Sequence, residues 1–299
     1  MKIRIDVFPG GHLSPQDGPL PPLEDIRRHE DSRTYRSAAI RECFEESGLL
    51  LARQQDNPNE LVDLSEQDRD EGRKTVHAEQ IAFNEWLEQK GGIADLQGLV
   101  PFTRWLTPAD LPKRFSTQMY LYFLPVDSPV SSKTGKGQMH IPTPDGGVEH
   151  TAARFLYPQE WIDLALSGDV VLFPPQFFLL ALLAPFLTGP APPLSAGATS
   201  ASEALLEQRM RLMHIVENDG DPPWGQKCIS PYPIKKTAKY LFIGMEGAGP
   251  ELQGTHRRGD TERVLRMELA KDKETGRQRP QSQAVLWRKD VFPHGKERL

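Results

Sequence analysis

At 299 residues, with 38% hydrophobic and 26% charged side chains, the chain can bury one large core or two small ones. Its 13 Phe and 5 Trp exclude wholesale disorder. A formal charge of −5 gives no reason to expect a nucleic-acid partner and leaves small anionic ligands open. Two cysteines, Cys43 and Cys228, exclude a disulfide framework or a thiolate zinc site by themselves, which favours a reducing, intracellular compartment.

The opening MKIRIDVFPGG lacks the apolar run of a secretory signal, and its acidic residue and early glycines do not suit a transit peptide. Residues 3–8 alternate as a strand emptying into Pro9-Gly10-Gly11, an abrupt start that leads us to expect a preceding strand outside this chain. Residues 12–34 are loop-like. YRSAAIRECFEESG then predicts a helix, with Ala39/Cys43 and Ile40/Phe44 as an apolar stripe and Gly48 as its left-handed cap. Residues 53–75 read as an irregular polar excursion, and 76–92 as one amphipathic helix stopped by Gly91-Gly92. FTRWLTP (102–108) and RFSTQMYLYFLPV (114–126) predict two strands, followed by a hairpin loop or mobile tip at 128–138.

A strand is expected to end near Tyr157, and a helix to run from Pro158 to Gly168. The greasy stretch 170–187 contains Pro174, Pro175, Gln176 and Pro185. It falls short of the roughly 20 residues of a membrane span, so a buried or substrate-facing helix from about Pro175 is expected. TGPAPPLSAGATSAS (188–202) reads as a linker. Beyond it, a short helix near 203–214 precedes strands at YLFIGM, RVLRMEL and AVLWRKDVF, which either cap the first sheet or form an accessory one. The closing KERL does not match a Ser-Lys-Leu peroxisomal address.

In a helix over 37–47, Glu42, Glu45 and Glu46 occupy positions i, i+3 and i+4 and share one face, while Ile40 and Phe44 turn to the core. Like charges so placed cost a few tenths of a kcal/mol per pair unless something compensates. A solvated acidic face is one reading. The other is a hard divalent cation such as Mg²⁺, which takes carboxylate oxygens, bridges a diphosphate and activates water. Arg41 is placed to hold one Glu as a bidentate partner.

RECFEESGL fits the Nudix hydrolase consensus R-E-U-x-E-E-x-G-U (U apolar) at Arg41, Glu42, Cys43, Glu45, Glu46, Gly48 and Leu49, and FPGG at 8–11 is similar to that family's strand-to-loop turn. The full consensus begins G-x5-E-x7-R-E, whereas Gly11 and Arg41 stand thirty residues apart rather than fourteen. Inserting sixteen residues after Asp17 reconciles the halves and makes Asp17 the stand-in for the first Glu; Glu30 or Asp31 are the alternatives. The layout over about 5–187, including EQIAFNEWL and WLTPADLPKRFSTQMYLYFLP, resembles the long-insert Nudix subfamily that includes the mammalian Nudix motif 19 acyl-coenzyme A diphosphatase.

That resemblance implies an α/β Nudix fold, with a mixed β-sheet between helices in an α/β/α sandwich. It divides the chain into a domain at 1–187 with an insertion at about 50–98, the linker 188–202, and a partly strand-rich extension over 203–299. Glu42, Glu45 and Glu46 are then the ligands of Mg²⁺ or Mn²⁺, and Arg41, Glu45 and Glu46 are catalytic. Glu149, in GGVEHT, is a candidate base or further ligand, with His150 beside it read as a structural or surface residue. Gly10, Gly11, Arg104 and Arg114 are expected to bind substrate, Arg through its bidentate fork, and Lys113 is a further basic residue nearby. The apolar 173–186 block is read as core, with a channel for an acyl or pantetheine arm as the alternative.

The expected substrate is a small nucleotide diphosphate, foremost a coenzyme A ester, giving adenosine 3',5'-bisphosphate and acyl-phosphopantetheine. Alternatives are ADP-ribose, NADH or capped nucleotides, and a catalytically weak binding protein. Mitochondrion or peroxisome follow by resemblance, and otherwise the cytoplasm.

Overall fold

A computed structural model describes residues 4–5, 8–125, 154–188, 201–271 and 278–293. The expected tip at 128–138, Glu149, His150 and most of the 188–202 linker lie outside the described residues. The chain divides into two compact units, one of residues 9–100 with 120–155, the other of residues 1–8, 101–119 and 156–299.

In the first unit, helix α1 spans Arg33–Ser47. Ser32 caps its start by accepting from the Tyr35 N–H, and Gly48 ends it in the left-handed region at φ 73°, a conformation that costs glycine no Cβ clash. The inward face of α1 sets Ile40 and Phe44, both fully buried, into a core with Leu50, Val62, Val76, Phe83, Trp86 and Leu87. Phe44 stacks on Trp86 with ring centroids 4.7 Å apart. Strands β2 (Ala52–Gln54) and β3 (Gly92–Ala94) pair antiparallel beside it.

The reading of 53–75 as irregular is corrected. Helix α2 runs over Glu66–His77, capped by the Ser65 side chain. Its acidic first turn (Glu66, Asp68) and basic last turn (Lys74, His77) both favour the helix dipole. It buries only Gly72, Arg73 and Val76, too narrow and too polar a stripe for hydrophobic periodicity to register. The single helix expected over 76–92 is two, because the chain breaks after α2 with Glu79 at φ 53° and restarts as α3 (Phe83–Gln89). Gly72 lets α2 close on α3, since a Cβ there would meet Trp86 at 2.3 Å.

In the second unit, β1 (Arg4–Ile5) pairs parallel with β6 (Val170–Val171). Strands β4 (Leu99–Leu106) and β5 (Ser116–Tyr122), which contribute residues to both units, lie in a sheet of order β5-β4-β7, where β7 is Cys228–Ile229. Residues 154–157 carry no regular structure, so the strand expected to end near Tyr157 is absent from the described part of its range. Helix α4 (Pro158–Ser167) closes on Gly168 at φ 84°, as expected.

Helix α5 (Pro174–Leu183) buries Phe177, Phe178, Leu179, Leu180 and Leu183, as a core element does. Together with helix α6 (Ala201–Asn218), α5 also borders a cavity of about 620 Å³ lined by Phe177, Leu182, Phe186, Leu212 and Ile215 among others. Of the two C-terminal alternatives, YLFIGM, RVLRMEL and the AVLW of AVLWRKDVF take the accessory sheet, and the strand that joins the first sheet is one the sequence reading had not named. Strand β7 extends the sheet parallel to β4 (Arg104↔Cys228), while β8 (Tyr232–Lys236), β9 (Tyr240–Met245), β10 (Asp260–Lys271) and β11 (Gln278–Trp287) form a separate antiparallel sheet of order β11-β10-β9-β8. A last short helix, α7, covers Arg288–Val291. No helix among the described residues is long and apolar enough to cross a membrane.

Candidate metal and active site

The outward face of α1 presents Glu42, Glu45 and Glu46 near its C-terminal end, and Arg41 beside them is buried, at 5% exposure. A buried guanidinium needs its donors satisfied, and here one side chain collects nearly all the acidic groups in reach. A 3₁₀ turn at Pro15–Asp17 delivers Asp17, whose carboxylate receives Arg41 bidentately: Nε to Oδ1 and Nη2 to Oδ2, both 2.9 Å. Nη1 donates to Glu42 Oε1 at 2.8 Å and to Glu45 Oε1 at 2.9 Å, and Nη2 also reaches the His12 carbonyl at 2.9 Å. Burial opposes the Arg41 charge, but the hydrogen bonds it donates to Asp17 and Glu45 and the charges of Asp17 and Glu42 outweigh it, and hold the group above its ordinary range. Burial pushes the Glu42 carboxyl up, with Arg41 pulling the other way.

The glycine-rich turn lies against the same face. Glu46 Oε2 accepts the Gly10 N–H at 2.8 Å. A Cβ on Gly11 would sit 2.2 Å from Glu42 Oε2, so only glycine lets the chain pass this close to the carboxylate. Asp17 is thus the acid that meets Arg41. Asp31 instead accepts from Arg36 and from the Tyr120 hydroxyl, and Glu30 is exposed.

Two site residues had not been read from the sequence. His77 Nδ1 is 3.2 Å from Glu45 Oε2, and Arg73 donates to the main-chain carbonyls of Glu45 (3.0 Å) and Glu46 (2.9 Å). Their i, i+4 spacing was a usable signal, since it places both on one face of α2 once that stretch is taken as helical.

Of the basic residues expected at phosphate, Arg104 is 2% exposed, and its Nη1 donates to Ser116 Oγ at 3.0 Å. The structure turns it inward, because β4 is covered on the face that carries it. Arg114 forks onto Glu251 and the Thr107 carbonyl. Both belong to the second unit.

For a divalent cation, the donor chemistry fits: three carboxylates share one guanidinium, leaving surplus negative charge and hard oxygen donors beside a glycine turn. Among the described residues, however, no three His, Cys, Asp or Glu side chains are grouped as ligands of one ion. Arg41 draws Glu42 and Glu45 to itself, while Glu46 turns to Gly10.

A family model for the NUDT19 Nudix domain matches residues 24–183, taking in α1 and the inserted helices but beginning after Gly10, Gly11 and Asp17. A putative nudix hydrolase 7 from Caenorhabditis elegans is 27% identical over 179 residues, covering 59% of this chain and 49% of that protein. Acyl-coenzyme A diphosphatase NUDT19 from Gallus gallus is 28% identical over 168 residues, covering 51% and 41%. Its counterpart in Xenopus laevis is 28% identical over 163 residues, covering 50% and 39%. The chain spans about half or less of the length of these curated relatives.

Proposed function

We propose, because this chain belongs to the NUDT19 Nudix domain family of Nudix hydrolases, that it hydrolyses a nucleoside diphosphate linked to another group, with an acyl-coenzyme A as substrate. Membership makes the fold a mixed α/β one of Nudix type, a sheet flanked by helices with extra strand-rich regions. The observation that carries the reaction class is the Arg41 cluster, with Asp17, Glu42 and Glu45 on one buried guanidinium next to Gly10 and Gly11. The substrate rests on the two relatives named as acyl-coenzyme A diphosphatases.

In this reading Glu42, Glu45 and Glu46 hold Mg²⁺ or Mn²⁺, which supplies charge neutralisation on the diphosphate and lowers the pKa of water. The chain's own part is placement. Arg41 fixes the rotamers of Glu42 and Glu45, the Gly10 N–H orients Glu46, and the turn lets a phosphate approach the face closely. Glu149 remains the candidate for a base or additional ligand.

An assay offering acetyl-coenzyme A and ADP-ribose side by side, with Mg²⁺ and with Mn²⁺, tests the proposal by product. Adenosine 3',5'-bisphosphate and acyl-phosphopantetheine are expected. Preference for ADP-ribose overturns the substrate, and no cleavage of either, or of NADH and a capped nucleotide added to the panel, with either metal overturns the enzyme in favour of a binding protein. Gly11→Ala is expected to keep the fold, since the group it strikes is the end of a flexible side chain. By pushing the Glu42 carboxylate off Arg41 it should lower kcat/KM about tenfold; unchanged kinetics would show that the close approach has no functional weight.

A further inference from the structure

We propose that the inserted helices α2 and α3 are a positioning element for the carboxylate helix, with Arg73 as the positioning residue. The need arises from α1 itself. A helix C-terminus leaves its last carbonyls without intrahelical partners and carries partial negative charge, and in α1 this end also bears Glu45 and Glu46, acids at the wrong pole. Gly48 answers one carbonyl, with its N–H donating to Phe44 at 2.8 Å. Arg73, 5% exposed, answers the next two, Nε to Glu45 O at 3.0 Å and Nη2 to Glu46 O at 2.9 Å, and sets a fixed cation at the negative end.

The rest of the insertion is built around the same target. His77, one turn further along α2, meets the Glu45 carboxylate. The first N–H of α3, from Phe83, donates at 2.7 Å to Gln16, the neighbour of Asp17 in the turn that holds Arg41. Trp86 packs on Phe44 on one side and on Gly72 on the other, so α2 sits at the distance Arg73 needs. The insertion therefore grips the main chain of Glu45 and Glu46, one carboxylate, and the Asp17 turn. Its catalytic consequence rests on the diphosphatase reading above; its structural consequence does not.

The test compares Arg73→Met, which removes the donors and keeps most of the volume, with Arg73→Lys, which keeps the charge but not the fork. Two readouts are taken on the full chain: amide hydrogen exchange over residues 44–50, and kcat and KM separately. For Arg73→Met, exchange over 44–50 should quicken while the first turn of α1 holds, and kcat should fall about tenfold with KM little changed. Arg73→Lys should fall between. Wild-type exchange in a folded Arg73→Met would overturn the clamp, and raised exchange with unaltered kcat would overturn the positioning role. If the unaltered protein cleaves no diphosphate, the diphosphatase reading has failed, and the exchange comparison still decides the clamp. If Arg73→Met does not fold, Arg73→Lys decides on the same readouts.

Discussion

Replacing Arg41 with methionine is expected to destabilise the unit that carries it by about 3–5 kcal/mol, the range for breaking a buried ion pair from one side. An exposed pair would be worth at most about 1 kcal/mol, so burial decides which figure applies. The Arg41 side chain is 6% exposed and that of Asp17 2%, which puts the pair in the buried regime. Methionine approximates the apolar stem but leaves Asp17, Glu42 and Glu45 without the cation they share. Among the described residues, Asp17 keeps its hydrogen bond from the Ser14 N–H. Adding Asp17→Asn to the methionine variant should recover part of the loss by removing one stranded charge, a coupling that a double-mutant cycle reads directly. Urea denaturation measures both. A methionine variant with the wild-type midpoint would mean that the network does not hold the site together.

The second large effect is catalytic. Glu45→Gln is expected to leave folding intact, because the amide oxygen can still accept from Arg41 where Glu45 Oε1 does now. It removes the negative charge, and with it a hard ligand and a positioned acceptor. A reaction carried by placement and electrostatics should then lose at least about 100-fold in kcat, or roughly 2.7 kcal/mol of transition-state stabilisation. Unchanged KM would locate the loss in the transition state rather than in substrate binding. Steady-state rates at saturating Mg²⁺ check this. Ordinary turnover by a metal-loaded variant would remove Glu45 from the mechanism.

Much of the site's local geometry was legible in the residues. The four-residue spacing of Ile40 and Phe44 set the buried face of α1, and this alone placed Glu42, Glu45 and Glu46 together on the other side. Gly48 marked the helix end because the left-handed cap suits a residue without Cβ. Helix α4 was bounded in the same way by Pro158 and Gly168. Helix α2 escaped because its buried stripe includes a glycine and an arginine, so the stretch looks irregular to any reading based on apolar periodicity.

By itself, then, the sequence determined which side chains share a helix face and where that helix stops, since both follow from 3.6-residue periodicity and backbone sterics within a few residues. Only the tertiary structure decided that Asp17 rather than Glu30 or Asp31 meets Arg41, that Arg104 turns inward, and that Arg73 and His77 reach Glu45. Those pairings join residues separated by loops of no fixed length. Which acid a buried guanidinium finds depends on how the intervening chain packs, and a contact across 24 or 28 positions leaves no periodic trace in the residues between.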